Sequence, residues 1–198
     1  MSHLLAKAAE KQDLARIDAL LDEGADIEWQ HKGTGRTPLL SAVIAGKADS
    51  VERLLDRGAN IQHACTALGY TALGWAANAG DTEIGRVLIA RGALLDAASP
   101  ESRYTPLMLA SSGGHLAMVE LLLDSGATVA PLNFEETNAL AMADARKHED
   151  VVARLKLAGA QLPPPLIEAP ALEWPEPDAE GEPASVAVSY THLTLPTS

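Results

Sequence analysis

Apolar residues recur three and four positions apart in short stretches, each closed by a glycine. They are Ile17, Leu20 and Leu21 before Gly24, Val51, Leu54 and Leu55 before Gly58, and Val119, Leu122 and Leu123 before Gly126. That spacing puts them on one face of a short helix. A second run, rich in small residues, precedes several of these stretches: Ser41, Ala42 and Ala45, then Ala76, Ala77 and Ala79, then Ala110 and Ser111. Gly46, Gly80 and Gly114 end these runs, as suits the left-handed residue after a helix. Thr37 and Thr105 open two of them as N-caps, each followed by a proline in the first helical position, where its missing N–H costs nothing. The pattern predicts helix, turn, helix and loop. Helices this short do not stand alone, so each unit must bury its apolar face against the next.

The units repeat in register. A Gly-Ala pair stands at Gly24-Ala25, Gly58-Ala59, Gly92-Ala93, Gly126-Ala127 and Gly159-Ala160, with the glycines 34, 34, 34 and 33 residues apart. A second phrase begins 21 residues before four of these pairs: Thr37-Pro38-Leu39, Thr71-Ala72-Leu73, Thr105-Pro106-Leu107 and Asn138-Ala139-Leu140. Two phrases held in constant phase mark a repeat array.

The stretches GRTPLLSAVIAGKADSVERLLDRGANI, GYTALGWAANAGDTEIGRVLIARGALL and RYTPLMLASSGGHLAMVELLLDSGATV resemble the ankyrin repeat family. The resemblance implies an all-α fold, a right-handed stack of helix pairs whose hairpin-like loops project to one side and leave a concave surface. The family usually carries a histidine after Thr-Pro-Leu that ties neighbouring repeats by hydrogen bonds; Leu40, Gly74, Met108 and Ala141 stand there instead. Aliphatic packing is therefore expected to hold the array, without that polar network. Gly85 falls inside a second helix, where glycine costs about 1 kcal/mol against alanine, and it makes the third unit the expected weak point.

Five units are expected, at about 1–34, 35–68, 69–102, 103–136 and 137–162, forming one ankyrin-like domain over 1–162. The first is charge-rich (Lys7, Glu10, Lys11, Asp13, Arg16 and Asp18), and the fifth sets Arg154 and Lys156 among Val151, Val152 and Leu155. Both read as terminal caps with an outward polar face. Residues 163–187 turn proline-rich and acidic, with Glu168, Glu173, Glu176, Asp178, Glu180 and Glu182 and no lysine or arginine. That composition reads as a disordered linker. Residues 188–198, VSYTHLTLPTS, break the acidic pattern and resemble a translated sequencing adapter, a non-native artefact.

Composition narrows the function. The chain is 47% apolar but only 4% aromatic, so its core is aliphatic. A net charge of -12 argues against nucleic acid and against an anionic membrane surface as partners. The uncharged stretch between Arg57 and Asp81 holds Asn60, Gln62, His63 and Asn78, too polar for a membrane span. The N-terminus lacks the order of a signal peptide, and the lone Cys65 excludes an intramolecular disulfide. A cytoplasmic monomer is expected.

No catalytic group, metal site or cofactor is expected. His3, His31, His63, His115, His148 and His192 lack metal-ligand spacing, Asp22, Asp56 and Asp124 read as a solvated row, and Cys65 has no basic neighbour in sequence. The ankyrin geometry implied by the resemblance sends Trp29, His31, Lys32, Arg36, Ile44, Tyr70, Asn78, Tyr104, Ser112, Phe134 and Arg146 to the groove. Tyr70 and Tyr104 are expected as neighbours along the stack, and Trp75 is expected in the core. Aromatic and arginine side chains carry binding hot spots. The expected function is therefore non-enzymatic: binding of a protein partner through Trp29, Arg36, Ile44, Tyr70, Asn78, Tyr104, Ser112 and Phe134. The alternative is a regulatory or targeting region of a longer enzyme whose catalytic domain follows the linker.

Overall fold

The computed structural model describes residues 1–163, which form ten helices and no strand. The acidic linker beyond Pro163 and the adapter-like segment lie outside the described residues. The helices alternate between two layers. One layer holds α1 (Ser2–Glu10), α3 (Pro38–Ile44), α5 (Ala72–Ala79), α7 (Pro106–Gly113) and α9 (Ala139–Ala145). The other holds α2 (Leu14–Asp22), α4 (Ala48–Asp56), α6 (Thr82–Ala90), α8 (Leu116–Asp124) and α10 (Glu149–Leu157). Each odd helix packs on the even helix that follows it and on the odd helices beside it, which makes an all-α solenoid of helix pairs.

Local chemistry starts and stops the helices where the sequence places them. Thr37, Thr71, Thr105 and Asn138 accept hydrogen bonds from the backbone N–H of Leu40, Gly74, Met108 and Ala141 respectively. The turn within each pair needs one left-handed residue. Gly46, Gly80 and Gly114 supply it in the middle units at φ 66, 70 and 71°, while Gln12 (φ 59°) and Lys147 (φ 61°) adopt it in the first and last pairs.

Three columns of equivalent side chains build the core. Leu5, Leu39, Leu73, Leu107 and Leu140 run through the odd layer and Leu20, Leu54, Leu88, Leu122 and Leu155 through the even layer, all buried. Each is worth roughly 2 kcal/mol of transfer energy. The third column, Ala8, Ala42, Ala76, Ala110 and Ala143, lies where odd helices meet. Neighbouring odd helices contact one another more extensively than neighbouring even helices do, and small side chains in the odd layer allow that approach.

Polar ties between units are present, contrary to the expectation from the missing family histidine. Glu28 Oε1 accepts the Asn60 N–H at 2.7 Å, Gln62 Oε1 the Leu94 N–H at 3.4 Å, and Asp96 Oδ1 the Thr128 N–H at 3.0 Å. These three occupy the same position in successive loops, so each unit clamps the backbone of the next. Histidines act from other positions: Nε2 of His63, His115 and His148 meets the carbonyls of Gly35, Asn78 and Ser112 at 3.0, 3.1 and 3.1 Å.

The aspartate row is also structural. Arg57 pairs with Asp22 at 2.6 Å and Asp18 at 3.0 Å, Arg91 with Asp56 at 2.7 Å, and Arg154 with Asp124 at 2.6 Å. Arg154 therefore reaches back across the last junction instead of facing outward as a cap residue. Hydrogen bonding to Asp22 raises the Arg57 guanidinium above its ordinary value against the desolvation that opposes it. Gly85 has a packing reason: a Cβ there would sit 2.8 Å from Met118 Cε and 3.2 Å from Leu121 Cδ2, so the residue that weakens α6 also lets α8 close on it.

Two stability changes test this account. Ser111 is fully buried and its hydroxyl has no partner among the described residues, while Ala9 and Ala77 are equally buried at the equivalent positions. Ser111→Ala should raise stability by about 1 kcal/mol in urea denaturation, because it removes an unmet polar group. Asp96→Ala should lower it by about 1 kcal/mol by freeing the Thr128 amide.

Candidate functional site

Each loop between pairs turns back on itself and delivers one side chain just ahead of the next cap. The N–H of His31 donates to the Arg36 carbonyl (2.9 Å), that of Cys65 to Tyr70 (3.2 Å) and that of Ser99 to Tyr104 (3.0 Å). Arg36, Tyr70 and Tyr104 thus hold one register position in three successive units. The last loop is one residue shorter, and Asn133 closes it by accepting the Glu135 and Thr137 N–H groups with its own side chain.

These positions form a connected belt. Trp29 meets His31 edge to face at 6.3 Å between centroids. The Arg36 guanidinium lies 5.5 Å from the centroid of the Trp75 ring. Trp75 in turn meets Tyr70 at 5.6 Å and 71°. Burial, and next the neighbouring Tyr104 phenol, push the Tyr70 hydroxyl above its ordinary value. Beyond Tyr104, Phe134 stands 78% exposed over a hollow of about 280 Å³ that Glu101 and Glu135 also line. Its N–H donates to the Ser102 carbonyl at 3.1 Å, which fixes its loop to the preceding one.

Trp75 departs from expectation. It is only half-buried, and its ring bridges Arg36 and Tyr70 instead of filling the core. One signal was available: equivalent positions carry Ser41, Leu109 and Met142, so a tryptophan has no constant cavity to occupy. Ile44 and Asn78 are exposed on the last turns of α3 and α5. Ser112 is 9% exposed, and its carbonyl accepts from both Arg146 Nη1 and His148 Nε2. Ser112 is thereby drawn into the junction between the fourth and fifth pairs and offers little surface, while Arg146, anchored there by Nη1, stays exposed.

Cys65 sits beneath this belt, 1% exposed. Burial pushes its thiol up, but the backbone N–H groups of Leu68, Tyr70 and Ala67 and the Trp75 indole N–H favour the thiolate, with a net fall below the ordinary value. The Trp75 N–H has no acceptor of ordinary hydrogen-bond geometry, so its effect on the thiol is one of orientation and field. A hollow of about 570 Å³ opens where α1 meets the first loop. Trp29, His31 and Arg36 wall it together with Lys7 and Lys32. Among the described residues no three His, Cys, Asp or Glu side chains converge as a metal site would require, and no helix is long and apolar enough to cross a membrane.

Polar side chains of this solenoid tie unit to unit, while Trp29, Tyr70, Trp75 and Tyr104 are half-buried and Phe134 is exposed. The family model described as ankyrin repeats, in three copies, matches residues 5–99, and that of a single ankyrin repeat matches residues 102–133. The chain belongs to the ankyrin repeat family, whose repeats are generic protein–protein interaction modules and typically non-catalytic. Against curated proteins the chain has no match.

The lid that Trp75 forms over Cys65 is testable. Native protein should react with Ellman's reagent only as slowly as it opens. Trp75→Ala should expose the thiol to prompt reaction and cost about 2–3 kcal/mol in urea denaturation, toward the low end for a large-to-small change because the ring is half-exposed.

Proposed function

We propose that this chain binds a protein partner through the concave, odd-helix face, with the belt from Trp29 to Phe134 as the contact line. The observation that carries this reading is Phe134, a large aromatic 78% exposed at the end of a connected row of half-buried rings. A protein does not gain from leaving such a ring in water, and exposed aromatic anchors supply much of the energy of interfaces. Tyr70, Trp75 and Tyr104 are packed against the core and the loops are tied by hydrogen bonds before any partner arrives, so little side-chain freedom is lost there on association.

Trp29, Tyr104 and Phe134 act as anchors, Arg36 as a polar contact oriented by Trp75, and Ile44, Tyr70 and Asn78 as flanking surface. The two ends of the belt differ in charge. Arg36, Lys7 and Lys32 surround Trp29, while Glu101 and Glu135 flank Phe134. A partner therefore meets a face with a direction, and a reversed segment would juxtapose like charges.

The test is affinity capture from lysate with the parent chain beside Tyr104→Ala/Phe134→Ala, and beside Glu52→Lys/Glu120→Lys on the exposed side of α4 and α8 as control. A partner retained by parent and control and weakened at least tenfold by the double alanine variant, with circular dichroism unchanged, is the expected result. Capture that follows the α4 and α8 charges instead would move the binding surface to the other layer and overturn the reading.

A further inference from the structure

We propose that the hollow between α1 and the first loop docks an acidic segment of a partner protein, an extended peptide in which carboxylates alternate with apolar side chains. The proposal rests on the reading of the odd-helix face as a binding surface and says what chemistry its N-terminal end accepts.

The first observation is electrostatic. The chain carries 27 carboxylates against 15 lysines and arginines. Arg16, Arg53, Arg57, Arg91 and Arg154 pair with carboxylates, while Arg86, Arg103 and Arg146 form no ion pair among the described residues but stand apart from one another in the sequence. Yet Lys7, Lys32 and Arg36 converge on one hollow with Glu10 as the lone carboxylate in its lining, and among the described residues they form no ion pair. Unpaired cations gathered in a concavity of an acidic protein leave a local field of opposite sign to that of the whole. At physiological ionic strength the screening length is about 8 Å, so an acidic ligand in the hollow feels these three charges far more than the distant carboxylates.

The second observation concerns Arg36. Its Nε is buried and has no hydrogen-bond partner, and its guanidinium is held over the Trp75 ring. The buried Nε is out of a ligand's reach, but the side chain lines the hollow, and a guanidinium fixed in orientation there can meet a carboxylate with its terminal nitrogens. The third is the wall. Trp29 and His31 meet edge to face and give the hollow an aromatic side against which an apolar residue between two acidic ones can lie. At about 570 Å³ the space suits a few side chains, not a folded element.

The experiment is fluorescence polarisation of the full chain with a labelled, end-capped peptide of sequence Glu-Leu-Glu-Leu-Glu and its glutamine and lysine counterparts. The glutamate peptide is expected to bind at least tenfold more tightly than the glutamine peptide, and less tightly as salt is raised. Lys7→Glu/Lys32→Glu, at two exposed positions, should weaken it at least tenfold, while Arg86→Glu on the exposed side of α6 leaves it unchanged. Equal binding of the glutamate and glutamine peptides, or insensitivity to Lys7→Glu/Lys32→Glu, overturns the proposal. If that happens while Tyr104→Ala/Phe134→Ala still abolishes partner capture, only the acidic assignment falls and the belt stands. Sedimentation of the same samples should show a monomer; a dimer dispersed by Lys7→Glu/Lys32→Glu would make a second copy the occupant and likewise overturn the peptide assignment.

Discussion

The close approach of one odd helix to the next, allowed by the alanine column Ala8, Ala42, Ala76, Ala110 and Ala143, sets everything else in this molecule. A larger side chain in that column would hold neighbouring odd helices apart. With alanine the odd layer is narrower than the even one, and the loops that precede the odd helices are drawn into a row. Only then do Arg36, Tyr70 and Tyr104, one per loop, come near enough to act as one surface. The family that this chain belongs to is defined by its repeat, but here the repeat matters because it converts a small residue in the core into a line of large residues outside.

The charges divide between the layers in a way that follows from the same geometry. Even helices are farther apart, so long side chains are needed to span them, and Arg57, Arg91 and Arg154 reach back to Asp22, Asp56 and Asp124. These pairs are largely exposed, worth at most about 1 kcal/mol each, and their steadier contribution is to fix the register between units. No ion pair crosses from the third unit to the fourth, where Ala90 and Ser125 replace the expected aspartate and arginine. At that junction Gly85 admits Met118 and Leu121, so packing takes over where charge is missing. The glycine that looks like a defect along one helix is a fit between two.

Most of the architecture was legible because its causes are local. Threonine caps, proline in the first turn, a glycine with positive φ and apolar spacing each act within a few residues, and their recurrence in phase removes ambiguity. What escaped was whatever depends on the neighbouring unit. Glu28, Gln62 and Asp96 look like ordinary loop polars until the next backbone is placed beside them. Asp22, Asp56 and Asp124 are solvated as their spacing suggests, yet each is also met by an arginine one unit on. His115 and His148 tie units from the start of even helices, not from the position where the family's histidine usually stands. The site was legible in part for the same reason. Tyr70 and Tyr104 follow from phase alone, whereas Trp75 joins the belt because Arg36 lies across its ring, a contact between units that no spacing rule contains.

Trp75 also shows why recognition and stability are not separable on this face. Its ring covers Cys65, braces Tyr70 and orients Arg36. A side chain with three such neighbours is rigid, and rigidity is what lets a half-buried belt bind without first being ordered. The unmet donors of Arg36 and Trp75 are the counterpart of that rigidity. A repeat protein gains stability by satisfying or removing such donors, as Ala9 and Ala77 do where Ser111 does not. Ser111 lies in the core and points at nothing; Arg36 lines an open hollow beside two free lysines. Both unmet atoms are buried, but the rest of the Arg36 side chain continues into the lining of a hollow, so only there does the unmet donor belong to a group that a ligand can touch.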